Sequence, residues 1–114
     1  MKAIVCETYG PPSDLKLKEV PDLIPAEKEV VVSVHACSLN FPDTLIIQGK
    51  YQYKPQLPFT PGSDIAGVVK AVGKAVKHLN PGDEVIGFVQ HGGFAEQVIA
   101  PARNVFPKPP VMDF

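Results

Sequence analysis

The chain has 114 residues, 45% hydrophobic and 20% charged, with a net charge of −1. That is the composition of one ordinary globular domain, long enough for a real core and too short for two. No basic excess favours nucleic acid, and no apolar run reaches the ~20 residues of a membrane span. Met1-Lys2-Ala3 leads straight into a strand pattern instead of a signal peptide, so the reading is cytoplasmic. Cys6 and Cys37 lie in strand-like runs and read as buried thiols, not a disulfide framework. Thirteen prolines and nine glycines are spread along the chain, which indicates many short strands and turns.

In chain order, residues 2–7 form a short apolar strand, and Tyr9-Gly10-Pro11-Pro12 a turn. Residues 15–20 alternate apolar and polar, predicting a strand with one wet face. Residues 29–39 are the longest strand candidate. Both of its faces are largely apolar, and His35 and Cys37 fall on the same one by alternation, so a central, doubly covered strand is expected. Residues 64–73 read as a strand whose interior Gly67 suggests a bend or a close backbone approach. Asn80-Pro81-Gly82-Asp83 is a turn, with proline presetting φ at the second position and glycine allowing positive φ at the third. Strands at 84–89, 94–99 and 104–106 follow. The final Val111-Met112-Asp113-Phe114 resumes an apolar pattern and stops, and 1–114 reads as one domain cut at a domain boundary. Seven or so short strands with one small helix predict a mainly β fold, a barrel or sandwich decorated by that helix.

The stretch Asn40 to Gly67, NFPDTLIIQGKYQYKPQLPFTPGSDIAG, carries the functional expectation. Asn40 is a good N-cap for a helix over Phe41–Gln48, its side-chain oxygen able to accept from the third helical amide. Pro42 lies in the first turn, where its missing N–H costs nothing. Asp43 can reach back to the cap and face the positive helix end. Gly49 is a natural left-handed stop. The loop that follows, with Pro55, Pro58 and Pro61, is too proline-rich for helix or central strand. A polar helix mouth beside a tethered loop is a place where function concentrates. Asn40, Asp43 and Tyr51 form the candidate group, against the plainer reading that the first two only cap the helix. Tyr53 is expected on the loop surface.

Other chemistry fares less well. No G-x-G-x-x-G occurs, and position 68 is Val where a phosphate loop needs Gly. His35 and Cys37 could chelate from one strand face, but zinc needs at least three converging protein ligands, so no metal site is expected.

With NFPDTLIIQGKY (40–51), LPFTPGSDIAGVV (57–69), PGDEVIGF (81–88) and GGFAEQ (92–97), the chain resembles the N-terminal, GroES-like domain of medium-chain dehydrogenase/reductases. It is most similar to their zinc-independent quinone oxidoreductase, zeta-crystallin-like branch. The likeness covers essentially the whole chain and implies a partly open β-barrel without the Rossmann domain and returning C-terminal segment of the intact family. It implies NADPH, held mainly by that absent domain, a quinone or enone substrate, and a homodimeric parent. Zinc alcohol dehydrogenases of the wider family carry a Cys three residues before an Asp, and a Gly-His-Glu motif. Asn40 and Ser63 stand at the two ligand positions, and both bind zinc poorly. Without a Lewis acid, hydride transfer suits an already electrophilic acceptor. The resemblance places the residues matching Asn40, Asp43 and Ser63 against the cofactor, and those matching Asn40, Ile47 and Tyr51 against the substrate. Tyr51 is the catalytic candidate, as a donor to the substrate oxygen. Many members carry an Arg just before the helix-ending glycine, where this chain has Gln48. The expected function is the substrate-side domain of such a reductase, inactive alone. The alternatives are a free-standing GroES-like protein-binding module and a zinc alcohol dehydrogenase domain.

Overall fold

The computed structural model describes residues 1–114. Seven strands, β1 (Lys2–Val5), β2 (Lys16–Glu19), β3 (Glu29–Cys37), β4 (Asp64–Val72), β5 (Glu84–Phe88), β6 (Gln97–Pro101) and β7 (Val105–Pro107), accompany one α-helix, α1 (Phe41–Ile46). Five strands make an antiparallel sheet in the order β6-β3-β4-β5-β7, and β1 pairs with β2 in a separate ribbon. β6 and β7, consecutive in the chain, end up on opposite edges and do not pair, so the curved sheet stays open between them.

β3 is central, as its two-sided apolar pattern predicts, but the cover is uneven along it. Val30, Val31 and Val32 are wholly buried, while His35 is exposed. The reason is a register shift between Val34 and Ala36 against β4. Such an irregularity re-aims the side chains beyond it. It therefore separates His35 from Cys37: Cys37 packs toward the core, and His35 lies outside, stacked on Phe114 with ring centroids 4.4 Å apart. Gly67 sits opposite this shift. A Cβ built there would lie 2.0 Å from the Ser33 carbonyl oxygen, so the predicted close backbone approach is real.

The main core lies under the sheet, with Val30, Val32, Val69, Val85, Val98 and Val105 at its centre. Period-two alternation supplies these residues from five strands. A second, smaller cluster of Cys6, Ile46, Ile47 and Phe59 lies under α1, with Leu15, Tyr51, Tyr53 and Leu57 at its margin. The 80–83 turn forms as its residues require: Asp83 N–H donates to Asn80 O at 3.1 Å, and Gly82 takes φ +96°.

Three expectations are corrected. The alternating β2 has no buried face: all four residues are exposed, because β2 is the outer strand of its ribbon and pairs only with β1. The strand expected at 94–99 begins only at Gln97, because Phe94 and Glu96 bond to β1 instead: Ile4 N–H donates to Phe94 O and Glu96 N–H to Lys2 O. Tyr53 is half-buried, not a surface residue, its hydroxyl 2.9 Å from His91 Nδ1 and its ring stacked on that imidazole.

Candidate functional site

α1 begins where β3 ends, and its mouth is held from both sides. Asn40 is extended, with Pro42 in the first turn behind it. Asn40 and Asp43 stand in capping-box geometry, and the bond that closes is the Asn40 N–H donating to Asp43 Oδ2 at 2.8 Å. The Asp43 N–H in turn meets the Asn40 main-chain carbonyl at 3.0 Å. Asp43 is therefore 6% exposed, a buried carboxylate tied to a backbone amide in the first helical turn, where the helix dipole favours negative charge.

The Asn40 side chain takes the predicted capping-box position toward the Asp43 N–H, without closing a full cap hydrogen bond. Its amide is turned to β4. Nδ2 donates to Asp64 Oδ2 at 2.8 Å and to Ser38 Oγ at 3.1 Å, and the Ser38 hydroxyl donates to the same Asp64 oxygen at 3.2 Å. A carboxylate only accepts, so it takes the NH₂ side of the Asn40 amide and leaves Oδ1 on the side of the helix mouth. Ser38 and Asp64 escaped the sequence reading. They meet because Cys37 pairs with Ile65 in the β3–β4 register, which brings the flanking Ser38 N–H to Asp64 O at 3.2 Å. The residue types were visible; a register between strands almost thirty residues apart was not.

The other end of α1 is apolar. The helix ends two residues before the predicted Gln48, at Ile46 with Ile47 as C-cap, and Gly49 at φ +70° completes a Schellman motif. Gly49 N–H reaches Ile46 O and Lys50 N–H reaches Leu45 O. Tyr9 and Gly10 dock on this end: Gly10 N–H donates to Ile47 O at 2.9 Å, and the Tyr9 ring leaves no room for a side chain at Gly49. Ile47 is 4% exposed and packs inside the small cluster. Helical rise separates it from Asn40 by about 10 Å, and its side chain packs beneath the loop. Tyr51 is half-buried at the edge of that same cluster.

Ser63 lies next to Asp64 in the chain, and its carbonyl accepts from Val89 N–H at 2.8 Å. The structure thus joins Ser38, Asn40, Asp43 and Asp64 directly and places Ser63 beside them. Tyr51 and Ile47 stand apart on the second cluster.

Between the two ends the 60–62 loop meets the 92–94 loop. Gly92 N–H donates to Thr60 O, Gly93 N–H to Gly62 O and Phe94 N–H to Pro61 O. Gly62 and Gly93 close over Cys37, and a Cβ on either would come within 3.0 and 2.6 Å of its sulfur. Burial, helped by the Asp43 and Asp64 carboxylates, pushes the Cys37 thiol up to about 11. No three His, Cys, Asp or Glu side chains converge on a common point. The four positive-φ glycines, 49, 62, 82 and 92, are dispersed over separate turns and do not build a phosphate cradle.

This arrangement matches a known domain type. Residues 26–110 match the model of the alcohol dehydrogenase GroES-like domain. The chain belongs to this family. Quinone oxidoreductase of Rattus norvegicus is 40% identical over 116 residues, covering 100% of this chain and 35% of the rat protein. Among solved structures, the human synaptic vesicle membrane protein VAT-1 homolog-like protein superposes with TM-score 0.96 at 35% identity, over 100% of this chain and 37% of that one. Escherichia coli quinone oxidoreductase complexed with NADPH gives TM-score 0.94 at 32% identity, over 100% of this chain and 35% of that one. The GroES-like chain therefore spans about a third of the length of the relatives it matches. No helix of it is long and apolar enough to cross a membrane.

Proposed function

We propose that this chain is the substrate-side domain of an NADPH-dependent quinone or enone oxidoreductase that transfers hydride without zinc. Its likeness to quinone oxidoreductases, one of them solved with NADPH, supports the activity class. The observation that carries the metal-free reading is the Asn40 amide. It stands where zinc members of the wider family place a cysteine, and it is tied to Asp64 and Ser38 by hydrogen bonds. Neutral amide and hydroxyl oxygens, from Asn40 and Ser63, are a weak donor set for zinc. Cys37 is no substitute, being out of register for the role and shut in by Gly62 and Gly93.

The residues fit the nicotinamide end of the cofactor only. Asn40 and Ser63 offer polar atoms beside the helix mouth, and Asp43 holds Asn40 from below. The pyrophosphate has no cradle in this chain, so a partner domain of the longer protein would hold it. NADPH supplies the hydride; the chain positions the acceptor against it. Tyr51 presents a flat face for a planar quinone, and its phenol O–H donates to the oxygen that gains charge.

The full-length protein tests this. Expected is NADPH-dependent reduction of a benzoquinone that survives chelator, in protein carrying well under one zinc per chain, whereas the 114-residue chain alone shows no turnover. One zinc per chain, with activity lost to chelator, overturns the metal-free reading. In the same enzyme Tyr51→Phe lowers kcat with KM little changed, whereas Tyr51→Ala also raises KM; equal turnover for wild type and Tyr51→Phe removes the hydroxyl from the mechanism.

A further inference from the structure

The Ser38–Asn40–Asp64 triangle assigns the orientation of a side chain that would otherwise be ambiguous. An asparagine amide can present either its oxygen or its nitrogen, and only the surrounding hydrogen bonds decide which. Asp64 is acceptor-only and takes one hydrogen of Nδ2; Ser38 Oγ takes the other and passes its own proton to Asp64. Both amide hydrogens are thereby committed. The main-chain N–H of Asn40 is committed to Asp43, and its main-chain carbonyl to the Asp43 N–H. Oδ1 faces the Asp43 N–H in capping-box position without a full cap hydrogen bond, and with two lone pairs it is the atom of Asn40 with capacity left for a ligand.

We infer that Asp64 and Ser38 are positioning residues that lock Asn40 as a hydrogen-bond acceptor, so that the site recognises an O–H or N–H donor of the bound ligand. The inference rests on the reading of Asn40 as a cofactor- or substrate-contacting residue and adds its sign. Asp64 suits the task because β4 holds it: its main-chain carbonyl is bonded to Ser38 N–H, and its Cα pairs with Phe88 of β5. A carboxylate on a sheet is a firmer guide for an amide than a loop side chain would be. Two donors of an NADPH ligand have the required chemistry, the carboxamide N–H and the ribose hydroxyls.

A double-mutant cycle on NADPH affinity in the full-length protein tests the inference, with melting temperatures confirming that each variant is folded. Asn40→Ala is expected to weaken binding about tenfold, the size of one lost hydrogen bond. Asp64→Asn is expected to do nearly the same alone and to add nothing in the Asn40→Ala background. Additive effects would overturn the positioning role while leaving Asn40 as a contact. No change in Asn40→Ala would instead overturn the reading of Asn40 itself. The charge-swapped variant Asn40→Asp with Asp64→Asn fixes the sign. It keeps an acceptor at position 40 and a donor at 64, so affinity within about threefold of wild type is expected. A loss as large as that of Asn40→Ala would mean that Asn40 donates, and would overturn the inference. Replacing NADPH by its 3-acetylpyridine analogue, which lacks the carboxamide N–H, separates the two sources. A wild-type preference for NADPH that Asn40→Ala abolishes identifies the carboxamide as the donor, and one that persists identifies a ribose hydroxyl.

Discussion

The two packing centres of this chain are built differently. The main core is assembled by strand alternation on five hydrogen-bonded strands, so each buried valine is also held by a backbone ladder. The small cluster gathers Cys6, Ile46, Ile47 and Phe59 from three separate segments. Its main-chain ties are few: a reciprocal Cys6–Phe59 pair and the Gly10–Ile47 bond. The helix mouth leans on the first centre through Asp64, and Tyr51 leans on the second. A site with one end on a sheet and the other on a loosely tied cluster can hold one ligand atom firmly and let another adjust. The small cluster belongs to the low-stability end of the molecule, where few backbone bonds resist local opening.

The most damaging change should be in the main sheet. Gly67→Ala forces a Cβ within 2.0 Å of the Ser33 carbonyl, and a loss of at least about 4 kcal/mol is expected. Denaturant titration checks it; a loss under about 1 kcal/mol would show that the β3–β4 approach tolerates a methyl group.

In the small cluster, Ile46→Ala should cost about 3 kcal/mol through the cavity it leaves. The comparison predicts where that loss is felt. Hydrogen exchange should accelerate in α1 and the 50–60 loop while β3 and β4 keep their protection. Uniform acceleration would erase the distinction between the two centres.

Asp43→Ala removes the acceptor of the Asn40 N–H and a carboxylate from the first helical turn. About 2 kcal/mol is expected, measured as a shift in denaturant midpoint with unchanged slope. A loss below about 0.5 kcal/mol would show that the buried carboxylate is present for the ligand alone.

His91 reports on the loop side by pH. Burial lowers its protonation below the reference of 6.5. The unfolded chain then binds the proton more readily than the folded one. Stability is fully present above about 6.5 and is lost as pH falls below it toward the folded value. The ring is bonded to the Tyr53 hydroxyl and packs on the Tyr53 and Phe59 rings, both uncharged. His91→Phe should flatten the melting temperature between pH 7 and 5; an unchanged slope would place the effect elsewhere.

The smallest effect is one of reactivity. With its thiol moved from 9.0 to about 11, Cys37 carries about a hundredfold less thiolate at pH 8 than an ordinary cysteine. Alkylation of native protein should leave Cys37 unmodified over hours while denatured protein reacts within minutes. Rapid native labelling would show that the Gly62–Gly93 cover opens.

Local signals were legible wherever one residue type answers one backbone need. Pro42 and Asp43 announced the helix start, Gly49 its left-handed stop, Gly82 its turn and Gly67 a close approach, because each acts within a few residues or through its own missing side chain. The valine alternation of β3 announced a central strand for the same reason. What depended on register was not legible. The shift between Val34 and Ala36 that parts His35 from Cys37, the burial of Ile47, the Tyr53–His91 pair and the turning of Asn40 toward Asp64 all arise between segments distant in sequence. A one-residue slip of β3 on β4 would move Asp64 away from Ser38 without altering any local pattern. The sequence alone determined that a polar helix mouth exists. The tertiary structure decided that its asparagine faces a carboxylate, because only the β3–β4 ladder brings the two together.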